Sequence, residues 1–186
     1  MRTRVLDRAM PTWEQRSAHS LRAELPPAAL LSAVEELQWR EVPVFRLLMT
    51  VRGLTGRNVT SRARVLDWFT ASGFRVIERS ADELVLISVQ PVRAGRRGPT
   101  AATRAALESP EAFRAHRSPG TVRIAVDFRA GHGIFATETR VQATDARARR
   151  VFAVYWLLIR GGSGLIRHVW LRAIRARARR SLAAGD

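Results

Sequence analysis

Four histidines, His19, His116, His132 and His168, are the first place to look for acid–base or metal chemistry, because imidazole titrates near neutral pH and binds metals. Their spacing forms neither HxxxH nor HExxH, and the 186-residue chain has no cysteine. Thiolate sites, disulfides and cysteine nucleophiles are thereby excluded, and no metal or cofactor is expected. His19 stands apart because it shares a strand face with Leu21, where a hydrogen-bonded core histidine or a general base would both fit. Glu138 and Arg140, two apart in TETR, also share a strand face. Turned outward, they would pair with Arg123, Asp127 or Arg129 for well under about 1 kcal/mol each. Turned inward, they would anchor a polar ligand group, so His19, Glu138 and Arg140 are the polar candidates for a cavity. GGSG at 161–164 lacks the strand and lysine of a phosphate cradle.

Charge is the second signal. All 32 basic residues are arginine against 16 acids, a net charge of +16. Ten of those arginines fall between Arg147 and Gly185, a stretch without a carboxylate. Within it, Ile166, Val169, Trp170, Ala173 and Ile174 share one side of a helix while Arg172, Arg175 and Arg179 line another. Either the basic face is simply solvated or it touches an anionic membrane surface; nucleic acid is not expected, since no recognised binding motif accompanies the charge.

The elements that must position these groups follow from periodicity. Residues 14–24 alternate as a half-buried strand, and Pro26-Pro27 ends it and starts a helix with Leu30, Leu31, Val34 and Leu37 on one stripe. A short helix is predicted over 43–52 and another over 62–72, the latter stopped by Gly73, with Gly53 and Gly56 in the loop between them. FRVIERS and ELVLISVQ read as a hairpin, residues 91–106 as a long loop able to act as a lid, and Ser109-Pro110 as a helix start. TVRIAVDFR and GIFATETRVQA are two further strands, the first with clean period-two alternation that implies one buried and one wet face. From Asp145 to about Ala183 the pattern is helical, with a break expected at Gly161–Gly164. Residues 1–12 read as a flexible tail and 13–186 as one domain. Composition, 46% apolar and 26% charged, suits a folded protein. The longest strongly apolar run, Val151–Ile159, is far short of the roughly 20 residues of a membrane span, and no signal peptide is evident, so a cytoplasmic protein is expected.

The order of strand, helices, antiparallel meander and long terminal helix resembles the START-like superfamily of polyketide cyclases, lipid-transfer domains and birch-pollen-allergen-like proteins. RAELPPAALLSAV, ASGFRVIERSADELVLISV, TETRVQATDARARRVFAVYW and IRGGSGLIRHVWLRAI carry the resemblance, which extends over most of residues 13–183 and points to an actinobacterial-type branch. It implies an α+β helix-grip, in which a curved antiparallel sheet wraps around the C-terminal helix and leaves a cavity for a small hydrophobic molecule.

The residues themselves supply walls for such a cavity. Phe152, Tyr155, Trp156 and Ile159 recur at helical spacing as one stripe, facing Val122, Ile124, Val126 and Phe128, with Val85 and Ile87 from the preceding strand. Each would serve equally well as plain core. The resulting expectation is a non-catalytic binding or carrier domain for a lipid- or polyketide-like ligand. The alternative is cyclase or aromatase chemistry, which would need His19, Tyr155 or Glu138 to converge inside the cavity.

Overall fold

The computed structural model describes residues 4–51, 60–92 and 100–184, with backbone alone at 51 and 158–165. The expected loop glycines Gly53 and Gly56 and much of the expected lid lie outside the described residues.

Five strands form one fully antiparallel sheet in the order β1-β5-β4-β3-β2: β1 Gln15–Arg22, β2 Phe74–Arg79, β3 Glu83–Pro91, β4 Thr121–Gly131 and β5 Ile134–Ala143. The meander is closed by a two-residue turn, His132-Gly133, with φ of 50° and 70°, the mirror-image geometry that matches the twist of a hairpin. A bulge between Val76 and Glu78 bends β2.

The helices are α1 Val5–Ala9, α2 Pro27–Glu36, α3 Pro43–Val51, α4 Val65–Ala71, α5 Ala101–Ala105, α6 Pro110–Ala115 and α7 Ala146–Ala183, with a 3₁₀ turn at Trp39–Glu41. Their starts are chemically specified. Ser109 and Asp145 accept hydrogen bonds from the backbone N–H groups of Ala112 and Ala148, and Thr100 from that of Thr103, which satisfies donors that a helix start leaves open. α5 lies inside the stretch expected to be loop.

Helix α7 crosses the concave face of the curved sheet, packing on β1, β4, β5 and α2. This is the helix-grip arrangement. The backbone of α7 is one 38-residue helix, so the break expected at Gly161–Gly164 does not occur. The one turn that holds Gly161, Gly162 and Gly164 costs roughly 1 kcal/mol per glycine relative to alanine, and burial of the C-terminal half offsets it: Leu171, Ile174 and Ala178 are fully buried. No helix among the described residues is long and apolar enough to cross a membrane.

Both faces of the sheet are covered. The concave face carries Leu84, Leu86, Val126, Phe128 and Phe135 against α2, α3 and α7. The convex face carries Ile87, Val89 and Ala125 against Leu6, Met10 and Phe113 of α1 and α6. Of the flexible tail expected over residues 1–12, the described part from Arg4 to Met10 is instead docked, with Leu6 and Met10 almost wholly buried. Val5, Leu6, Ala9 and Met10 have an otherwise uncovered sheet face to bury, which is reason enough for that stretch to dock.

Candidate functional site: a concave-face cavity with an arginine at its inner end

Period-two geometry assigns β4 residues Val122, Ile124, Val126 and Phe128 to the concave side. Between them, α3, α4 and the first half of α7 lies an open cavity of about 520 Å³. Val122 and Ile124 form its floor, Phe152 and Tyr155 its α7 wall, and Trp68 and Phe69 of α4 its opposite wall. That volume is within the range of small-molecule sites. Past Gln90 and Pro91 a neighbouring hollow of about 540 Å³ continues toward Thr103 and Ser118.

Deeper along the same face, Phe69 and Phe74 form the boundary with a void of about 40 Å³, closed by Val126, Phe128, Trp170 and Arg167. Trp170 organises this end: Phe45 and Phe69 stack on it with centroids at 5.4 and 5.5 Å, and Phe128 meets it edge-on at 5.0 Å. Each such pair contributes about 0.5–1.5 kcal/mol beyond the area it buries, which makes Trp170 a rigid wall. Its indole N–H has no hydrogen-bond partner among the described residues.

Arg167 donates to the hydroxyls of Thr137, at 3.1 Å, and Thr139. It forms no ion pair among the described residues, and the carboxylate whose charge acts on it, Asp127, lies on the other side of the sheet. Burial therefore dominates and lowers its pKa to about 10, with Asp127 opposing. Beside it, His19 hydrogen-bonds Ser17 at 3.0 Å and meets the His168 ring edge-on at 5.2 Å. Burial, then the charges of Arg167 and His168, hold His19 below the ordinary histidine range.

The convex face holds the other concentration of charge. Arg140 donates to Glu138 at 2.8 Å and to Asp7 at 2.6 Å, Arg16 donates to Glu138 at 2.8 Å, and Arg4 bridges Asp127 at 2.7 Å and Glu138 at 3.2 Å. Arg129 completes the network on Asp127. Burial works to raise the pKa of Glu138, but hydrogen bonds from Arg16, Arg140 and Arg4 outweigh it and leave it at about 2. Asp127 goes the other way: its burial is deeper and wins over Arg129 and Arg4. A polar cleft of about 390 Å³ opens nearby, between Arg4, Asp82, Glu83 and His132, and its two arginines, Arg4 and Arg129, are paired with Asp127.

Several expected site residues move accordingly. Glu138 and Arg140 are neither cavity groups nor exposed ion pairs; α1 covers them, so they are buried on the convex face. Val85 and Ile87 also face the convex side, since their neighbours Leu84 and Leu86 take the concave one. Val126 and Phe128 line the inner void rather than the large cavity. Trp156 sits 6.0 Å from Phe152, half-buried, while the side chain of Ile159 lies outside the described residues. His19 is on the concave face but at the α7 C-terminal half, so His19, Tyr155 and Glu138 do not converge. Arg175 donates to the Arg22 carbonyl at 2.9 Å, while Arg172 and Arg179 are exposed. Among the described residues no group of three His, Asp or Glu could hold a metal ion.

Arg167 is the residue that sequence reasoning passed over. It precedes Trp170 by three positions, Leu171 by four and Ile174 by seven, in register with the buried stripe of α7, and that spacing is the signal that would have found it.

No family model matches the chain, and no curated protein matches it. Among solved structures, the crystal structure of Ara h 8.0201 aligns with 88% of this chain and 97% of its own at 10% identity and a TM-score of 0.26. The crystal structure of TTHA0849 from Thermus thermophilus aligns with 92% of this chain and 100% of its own at 12% identity and a TM-score of 0.26. Likeness at that level carries no weight of its own; the fold stands on the sheet order and the position of α7.

Proposed function

We propose that this chain is a START-like helix-grip domain that binds or carries a small hydrophobic molecule in the concave-face cavity. One observation carries the reading: about 520 Å³ of space is bounded by Trp68, Phe69, Phe152, Tyr155, Val122 and Ile124 instead of being filled by them. A close-packed core leaves few voids larger than a water molecule, so aromatic walls around an open volume favour an apolar occupant.

Titration with Nile red, a neutral apolar dye, tests it. Saturable fluorescence with one site per chain is expected, and Tyr155→Asp, which puts a charge at a partly exposed position on the wall, should weaken binding at least about tenfold. Dye fluorescence that never saturates, or that ignores the substitution, would remove the proposal. Native mass spectrometry of the protein from its own host would then identify any retained molecule by mass.

A further inference from the structure

The cavity and the inner void adjoin at Phe69 and Phe74, which line both, so an occupant of the aromatic chamber that passes between these two rings meets Arg167 and Trp170. The chemistry of that end is one-sided. Apart from these two residues its lining is aliphatic or phenyl, and both of them are donors. Two of the five guanidinium N–H groups of Arg167 go to Thr137 and Thr139, neutral hydroxyls that supply no charge. The Trp170 indole N–H goes to nothing among the described residues, although Trp170 is only 7% exposed. An unmet donor beside a cation without a carboxylate is an expensive arrangement for a core to keep and a ready one for an acceptor to complete.

Size narrows the choice. The inner void, about 40 Å³, exceeds the ~10–15 Å³ that one water needs but has no room for a ring or a sugar. Resting on the reading of the cavity as a hydrophobic-ligand site, we propose that the ligand is an amphiphile with an aliphatic or flat apolar body and a single carboxylate, its body in the aromatic chamber and its head accepting from Arg167 and the Trp170 indole. Arg167 is then a specificity-determining residue placed on the gripping helix itself. Thr137 and Thr139 hold its guanidinium toward β5.

Dodecanoate and dodecan-1-ol share a chain and differ in the head, so competition of each against Nile red at pH 8 isolates the anion. Dodecanoate is expected to displace the dye at least about tenfold more effectively than the alcohol, the scale of a charge-assisted hydrogen bond. Arg167→Met should abolish the acid's advantage over the alcohol, read as the ratio of the two within the same variant; Trp170→Phe, which keeps an aromatic ring there and removes the N–H, should reduce that ratio in part. Equal displacement by acid and alcohol in the unmodified protein, a comparison that needs no variant, overturns the carboxylate while dye binding keeps the cavity reading intact. Failure of the dye and both amphiphiles to bind overturns both.

Discussion

Glu138 accepts a hydrogen bond from Arg140 at 2.8 Å, two positions further along the same strand, with both side chains almost completely buried on the face of the sheet that the long helix does not touch. Arg140 also stacks over the Trp13 ring at 4.0 Å and donates to the Met10 carbonyl. Removing one member of a buried pair strands the other charge, at a cost of about 3–5 kcal/mol. Glu138→Ala should therefore destabilise the fold by that amount in urea unfolding, far more than an exposed pair such as Arg114–Glu111.

The same carboxylate sets an acid limit. In the unfolded chain Glu138 titrates near the ordinary 4.5, and in the fold at about 2. Between those values the unfolded state binds the extra proton, so its contribution, complete above about pH 4.5, is lost as pH falls toward 2. At about 1.4 kcal/mol per unit this amounts to roughly 3 kcal/mol, with Asp127, whose pKa moves up, offsetting part of it. Denaturation midpoints taken from pH 6 to pH 2 should fall steeply below 4.5 in the natural protein and more gently in Glu138→Gln.

The first helix should matter to stability as much as a core strand does. Leu6 is fully buried against Phe113 and the convex face of the sheet. Leu6→Ala is expected to cost about 2–5 kcal/mol, measured by denaturant unfolding, where a loose tail would show no change.

The two halves of α7 should respond differently. Trp170 belongs to the packed end and Phe152 to the cavity wall. Trp170→Ala should cost about 3–5 kcal/mol in stability. Phe152→Ala, made at a half-buried position facing open space, should cost under about 1 kcal/mol yet weaken Nile red binding several-fold. Equal stability losses would contradict the division.

Strand β1, the β4–β5 meander and the terminal helix were legible because their apolar residues recur at a clear period. The sides of β3 were not. Leu84, Val85, Leu86 and Ile87 are all apolar because α1 and α6 cover one face and α7 the other, and a strand buried on both faces carries no alternation from which to assign them. Glu138 and Arg140 misled for the related reason that their cover is α1, a five-residue helix too short to leave a periodic trace. The Gly161–Gly164 segment reads locally as a break, and tertiary burial further along α7 overrides that preference. Arg167 was hidden among ten arginines of one helix; its spacing from Trp170, Leu171 and Ile174 sets it on the buried stripe, and its contacts with Thr137 and Thr139 show what it does there.

Arg4 finds Asp127 across 123 positions of chain, and Asp7 finds Arg140 across 133. On a ribosome moving at about 5–20 residues per second, the first helix therefore waits roughly 6–25 s before the strands it belongs to have even been made. During that interval Leu6 and Met10 are nascent-chain apolar surface without a native partner, a stretch that chaperones can hold. The last strand of the meander, rather than the first helix itself, sets the moment at which that helix can dock.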